Sequence, residues 1–165
     1  MKTLIPILIA VLALPVAGAN FSVVPNWAKV PTGEKQIGNM HGDVAVSSAG
    51  EVYVSVQGGP KAGIQVYSAK GKYLRNVPGA PTDFHGFVIR KLADGEHIYG
   101  ARLGGQNILK LTLNGVVKLD IPPSKIPAQH KNRNAVRLTA MDVAPNGDLF
   151  VVDGYSTDKI HHFDK

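Results

Sequence analysis

Apolar residues along this chain fall at the two-residue spacing of strands. Leu109, Leu111 and Leu113 share one face while Lys110 and Thr112 take the other, the pattern of a half-buried strand. Past the first nineteen residues no comparable 3.6-residue stripe appears. The strand runs come in sets of three, and the set is written three times. The first set is His41-Gly42-Asp43-Val44-Ala45-Val46, Gly50-Glu51-Val52-Tyr53-Val54 and Gly63-Ile64-Gln65-Val66-Tyr67. The second is His85-Gly86-Phe87-Val88-Ile89, Asp94-Gly95-Glu96-His97-Ile98-Tyr99 and Asn107-Ile108-Leu109-Lys110-Leu111. The third is Ala140-Met141-Asp142-Val143-Ala144, Asn146-Gly147-Asp148-Leu149-Phe150-Val151-Val152 and Lys159-Ile160-His161-His162-Phe163. In each, Ala49-Gly50, Asp94-Gly95 or Asn146-Gly147 supplies the positive-φ residue that a tight hairpin requires.

A unit of strands recurring about every 40 to 50 residues is the signature of β-propeller blades, so the expected class is all-β. Propellers close with roughly 4 to 8 blades, and the 165 residues hold three units. The last unit stops at Phe163-Asp164-Lys165, whereas the first continues through Lys70-Gly71-Lys72 into Tyr73-Leu74-Arg75. The expectation is an open arc of about three four-stranded antiparallel blades, from a truncated product or fragment. A dimer of two half-rings is the alternative.

The N-terminus carries an address. Lys2 precedes an apolar run from Leu4 to Val16, broken by Pro6 and Pro15, and then Ala17-Gly18-Ala19. These are the three regions of an export signal, with cleavage expected after Ala19. Residues 1–19 are therefore read as a signal peptide and 20–165 as a partial propeller, secreted or periplasmic, with no stable membrane insertion. A retained membrane anchor is the competing reading. The chain has no cysteine, which excludes disulfides, cysteine catalysis and cysteine-ligated zinc.

Charge adds one feature. Eighteen Lys and Arg stand against twelve Asp and Glu, and Lys118, Lys125, Lys131, Arg133 and Arg137 cluster between the second and third units among Pro122, Pro123 and Pro127. This stretch reads as a long loop on one rim, either simply solvated or a lip that attracts anions. Nucleic acid is not an expected partner, since no aromatic residues interleave with the charges and the protein is read as exported.

The chain lacks G-x-S-x-G, H-E-x-x-H, P-loop, EF-hand and G-x-G-x-x-G motifs, so any chemistry must gather around the propeller axis. His41 and His85 open successive units just before Gly. Equivalent positions on neighbouring blades face one axis, where imidazoles could converge on a metal such as zinc. The third unit has Ala140 at that place, so a further ligand would come from outside these units. A plain strand start with a capping hydrogen bond is the other reading. Asp153-Gly154-Tyr155 follows the third unit's second strand, and Arg102 ends the corresponding strand of the second unit. The expected face joins Arg102, Asp153 and Tyr155 to His41 and His85. A neighbouring cation there would favour the phenolate and make Tyr155 a base, with Asp153 contacting ligand. Alternatively, Asp153 closes a turn and pairs with Arg102.

From Asp142 through Phe163, and over roughly residues 38–165, the units resemble the blades of NHL-repeat propellers. That resemblance implies an NHL-type ring of an expected six blades. Among related families, the lyase domain of peptidylglycine α-amidating enzymes places a metal-ligating His in a His-Gly segment of one blade and a catalytic Tyr in an Asp-Gly-Tyr segment of the next. His85-Gly86 and Asp153-Gly154-Tyr155 are similar in kind and order. The resemblance implies zinc on His85 and base duty for Tyr155 in releasing amide and glyoxylate. The family continues with Cys-Asn-Ser-Arg where this chain has Ser156-Thr157-Asp158-Lys159. The leading expectation is a non-enzymatic module that binds a protein, peptide or small molecule at its rim. The alternative is a metal-dependent lyase.

The mature exported protein is expected to begin at Asn20. Mass spectrometry of secreted material that finds Met1 or Lys2 at the terminus would refute this.

Overall fold

The computed structural model describes residues 20–127 and 136–165. The segment read as a signal peptide, and Lys131 and Arg133, lie outside them. Three antiparallel meanders follow one another. Sheet 1 holds β1 (Val44–Val46), β2 (Val52–Val56), β3 (Gly63–Tyr67) and β4 (Tyr73–Asn76). Sheet 2 holds β5 (Phe84–Leu92), β6 (Gly95–Arg102), β7 (Ile108–Thr112) and β8 (Val117–Ile121). Sheet 3 holds β9 (Ala140–Val143), β10 (Leu149–Asp153) and β11 (Lys159–Phe163). Among the described residues the only helical element is a 3-10 turn at Pro123–Lys125. None of their helices is long and apolar enough to cross a membrane.

The turn glycines sit where the pattern requires them. Gly50, Gly95 and Gly147 have φ of 78°, 115° and 99°, a region in which a side chain would be strained. In the first and third of these turns the glycine N–H closes back on Ser47 O and Ala144 O, each at 2.9 Å.

Strand alternation then builds the interfaces between sheets. Tyr53, Ile64 and Val66 of sheet 1 bury against Phe87, Ile89, Ile98, Leu109 and Leu111 of sheet 2. The alternate residues of sheet 2, Tyr99, Ala101 and Ile108, bury against Met141, Val143, Leu149 and Val151 of sheet 3. Sheet 2 is thus apolar on both faces, because it is packed on both. The first strands β1, β5 and β9 neighbour one another in that order, giving a propeller-like stack of radiating sheets. The outward faces stay open, with Val44 and Val46 exposed on sheet 1 and Phe150 and Ile160 on sheet 3.

Two features depart from the sequence reading. Lys118 lies in β8, an edge strand paired to β7, so the basic stretch expected to be a rim loop begins as sheet. The segment before β1, which has no periodicity, straps the outer face of sheet 1. Trp27 packs on Tyr67 with ring centroids 6.1 Å apart, its indole N–H donates to Ala69 O, and the Gln65 side-chain amide donates to Ile37 O.

Adjacent His161 and His162 face opposite ways, as a strand requires. His162 stacks on Phe150 and meets Asp148 at 3.0 Å. His161 turns inward at 8% exposure with Nε2 unpartnered, and burial holds its pKa below 6.5 although Asp153 acts the other way. The unfolded chain therefore binds this proton at higher pH than the folded one. The His161 contribution to stability is whole above about pH 6.5 and is lost as pH falls below it. Urea midpoints should drop between about pH 7.5 and 5.5, and His161→Leu should shrink that drop; an equal drop in both proteins would refute the assignment.

Candidate functional site

His85 owes its position to an irregularity. The β5–β6 register shifts between Phe84 and Gly86, which pair with Arg102 and Ala101, so His85 is the extra residue of a β-bulge. Bulges re-aim a side chain out of the pleat. Here the imidazole turns toward sheet 3, where Nδ1 lies 2.8 Å from Thr139 O. A carbonyl only accepts, so Nδ1 carries the proton and, in the neutral ring, Nε2 is left as an acceptor.

Tyr155 meets that acceptor. It lies in the turn after β10, about half exposed, with its hydroxyl 3.3 Å from His85 Nε2 and its ring edge-on at 5.3 Å. The phenol O–H donates and the imidazole accepts. His41, exposed on the other side, stands with its ring centroid 5.0 Å from that of His85 at an interplanar angle of 76°. His85 of sheet 2, His41 just before sheet 1's first strand and Tyr155 in the turn after β10 thus form one open cluster.

Glycines make the approach feasible. A Cβ on Gly86 would lie 2.5 Å from Ala140 Cα and 2.6 Å from Thr139 O, and one on Gly154 would lie 2.8 Å from Thr139 Oγ1. A Cβ on Gly42 would meet Ser55, and Phe84 O at 3.0 Å. The Gly of each His-Gly pair is therefore where neighbouring backbone comes close. Thr139, which the sequence reading passed over, is the hub: its carbonyl binds His85, its N–H donates to Val152 O at 2.9 Å, and its side chain abuts Gly154. No pattern of residue types marks it, because the working atom is a backbone oxygen.

The other expected site residues are held elsewhere. Arg102, expected as the cation that activates the phenol, donates from Nε to Asp83 at 2.7 Å and from Nη1 to Asn107 at 3.3 Å. Asp83 also accepts the Gly105 N–H, so Arg102 pins the β6–β7 turn to the chain entering β5. Asp153, expected to contact ligand, is 0% exposed; it accepts the Arg137 N–H on Oδ1 and the Thr157 hydroxyl on Oδ2. Its observed role is closing a turn, and each of the two residues has partners other than the Arg102–Asp153 pairing that was the alternative.

Two imidazoles on one tetrahedral ion, bound at ~2 Å, put their centroids on the order of 5 Å apart, and His41 and His85 have that spacing. Among the described residues, however, no group of three or more His, Cys, Asp or Glu could hold a metal. Catalytic zinc takes three protein ligands. The described residues supply two such donors, His41 and His85.

No family model matches the chain, and no curated protein matches it. Two similar solved structures are virginiamycin B lyase from Staphylococcus aureus and a protein of unknown function from Bacteroides caccae. The first is 19% identical over 79% of this chain and 43% of that one, with a TM-score of 0.47. The second is 14% identical over 73% of this chain and 59% of that one, with a TM-score of 0.33. The chain spans less than two thirds of either neighbour. With TM-scores below 0.5 neither bears on its fold or chemistry, and the propeller-like architecture stands on the three stacked meanders.

Gly86→Ala should force sheets 2 and 3 apart. The expected loss is about 1–3 kcal/mol of stability, as for overpacking, together with the His85–Thr139 bond. Chemical denaturation with imidazole nitrogen NMR measures both. A variant with unchanged midpoint and unchanged Nδ1 tautomer would show that the contact is not tight.

Proposed function

We propose that the chain belongs to an exported NHL-type β-propeller of six blades that binds a small molecule or peptide at the rim holding His41, His85 and Tyr155. The observation that carries this reading is the His85–Tyr155 pair. Its members lie 70 positions apart, meet at 3.3 Å, and use an imidazole whose tautomer is already set by Thr139 O. Preset polar groups held by rigid elements at an exposed rim orient a ligand at little further cost in ordering. A ligand hydroxyl inserted between them donates to His85 Nε2 and accepts from the Tyr155 hydroxyl, while His41 flanks it.

A second reading, a lyase resembling the amidating enzymes, is favoured by the same meeting, because that resemblance implies a His-Gly histidine beside an Asp-Gly-Tyr tyrosine. On this reading Tyr155 takes the hydroxyl proton of an α-hydroxyglycine peptide as its own proton moves to His85 Nε2. The carbon–nitrogen bond breaks, the nitrogen regains a proton, and amide and glyoxylate leave. The metal that the family uses has no complete ligand set among the described residues, so no step is assigned to it.

One peptide ending in α-hydroxyglycine tests both. Calorimetry on the exported protein should show binding that Tyr155→Phe and His85→Ala weaken at least about tenfold, with cooperative urea unfolding retained. Glyoxylate release that Tyr155→Phe abolishes establishes the lyase, and binding without release establishes the module. Binding and turnover indifferent to both substitutions would remove the rim cluster from function.

A further inference from the structure

Between the segments that carry His41 and His85 lies a residue belonging to neither. Ser55, the last but one residue of β2, is polar and yet only 1% exposed. The last but one residues of β6 and β10 are Ala101 and Val152. An apolar side chain therefore suits a strand at this point, and the buried hydroxyl of Ser55 calls for a reason outside the ladder.

Its contacts all fall beside the two histidines. The hydroxyl donates to Phe84 O, in sheet 2, at 2.6 Å. That carbonyl and the His85 nitrogen belong to one planar peptide unit, so fixing the oxygen fixes the plane from which the bulged His85 departs. The Phe84 ring cannot shift to compensate, since it is fully buried and lies so close over Gly100 that a Cβ there would be 2.4 Å from Cζ. On the other side, the Ser55 N–H donates to Asp43 O at 3.1 Å, two residues past His41. Gly42, between them, backs onto the serine so closely that a Cβ would meet its Cβ and Oγ at 2.6 Å each. Ser55 thus bonds to both segments that bring an imidazole to the rim. It grips the start of β5 from sheet 1, as the Thr139 carbonyl grips His85 from the side of sheet 3.

We infer that Ser55 is a positioning residue for the rim cluster, setting the distance and angle between His41 and His85 and through them the shape of the ligand site. The inference rests on the binding role proposed for that rim. Without the hydroxyl the Phe84–His85 peptide plane is free to turn about its flanking bonds, and the two imidazoles lose their fixed relation. The backbone ladders of sheets 1 and 2 do not run through the Ser55 side chain, so the loss is one of arrangement.

The test gives the full chain the residue that β6 uses, Ser55→Ala. A nuclear Overhauser contact between the His41 and His85 rings reads the arrangement in the free protein, and calorimetry with the peptide ending in α-hydroxyglycine reads its use. Ser55→Ala should unfold cooperatively in urea, lose the ring contact and bind the peptide at least about fivefold more weakly. Ile98→Val trims the core between the same two sheets and lowers the urea midpoint, but should keep both the contact and the affinity, which separates position from stability. Gly42→Ala keeps the hydroxyl and pushes a methyl group against it; the ring contact should be lost there too, which covers a Ser55→Ala protein that fails to fold. The inference is overturned if folded Ser55→Ala or Gly42→Ala keeps the ring contact at wild-type strength, or if Ile98→Val loses it. A lost ring contact with unchanged affinity upholds the positioning role and counts against the binding reading instead.

Discussion

Where β5 begins, its backbone and the segment entering β9 come together with no side chain between them. Gly86 leaves the space that Thr139 and Ala140 occupy, and His85, pushed out of the pleat by the bulge, fastens the contact through Nδ1 to the Thr139 carbonyl. The geometry of the His85 rim follows from this. At one end it sets the tautomer and reach of the imidazole that meets Tyr155. Toward the other end the sheets are packed through Tyr99, Met141 and Leu149.

Much of this was legible because it is local. Turn glycines, strand alternation and the order of His-Gly and Asp-Gly-Tyr units are written in residue types, and the strands of the three meanders follow them. The correspondence of Arg102 with the strand before Asp153 holds too, the two residues ending β6 and β10. Side-chain direction at those positions was not legible. Arg102 is decided by Asp83, nineteen residues earlier, and Asp153 by an N–H of Arg137, neither of which has a sequence signature. β8 was masked by its own composition: Val117, Leu119 and Ile121 alternate as an edge strand does, but Lys118 and the prolines that follow gave the stretch the look of a loop.

Alternation also gives every sheet two packing faces, and the chain uses them unequally. Sheet 2 is covered on both sides. Sheet 1 has its outer face covered around Tyr67 and Gln65 by the Trp27 to Ile37 strap, while Val44 and Val46 remain open beside it. On sheet 3 the open face is softened by the stacking of His162 on Phe150. A tyrosine serves a purely structural purpose inside sheet 1, where burial, with the Glu51 carboxylate beside it, pushes Tyr53 up to about 12 and keeps its hydroxyl protonated under Arg75.

Each meander is held by hydrogen bonds between consecutive strands, whereas the His41–His85–Tyr155 cluster exists only across sheets. In a stack where each unit touches only its neighbours, secondary structure and docking are separable quantities. A chain whose third sheet has swung away from the second keeps its strands, and with them its far-ultraviolet spectrum, yet has lost Tyr155 and the Thr139 carbonyl from the cluster. Spectroscopic foldedness is therefore a poor proxy for competence in this protein, and the sensitive reporter of its working state is the single proton on His85 Nδ1.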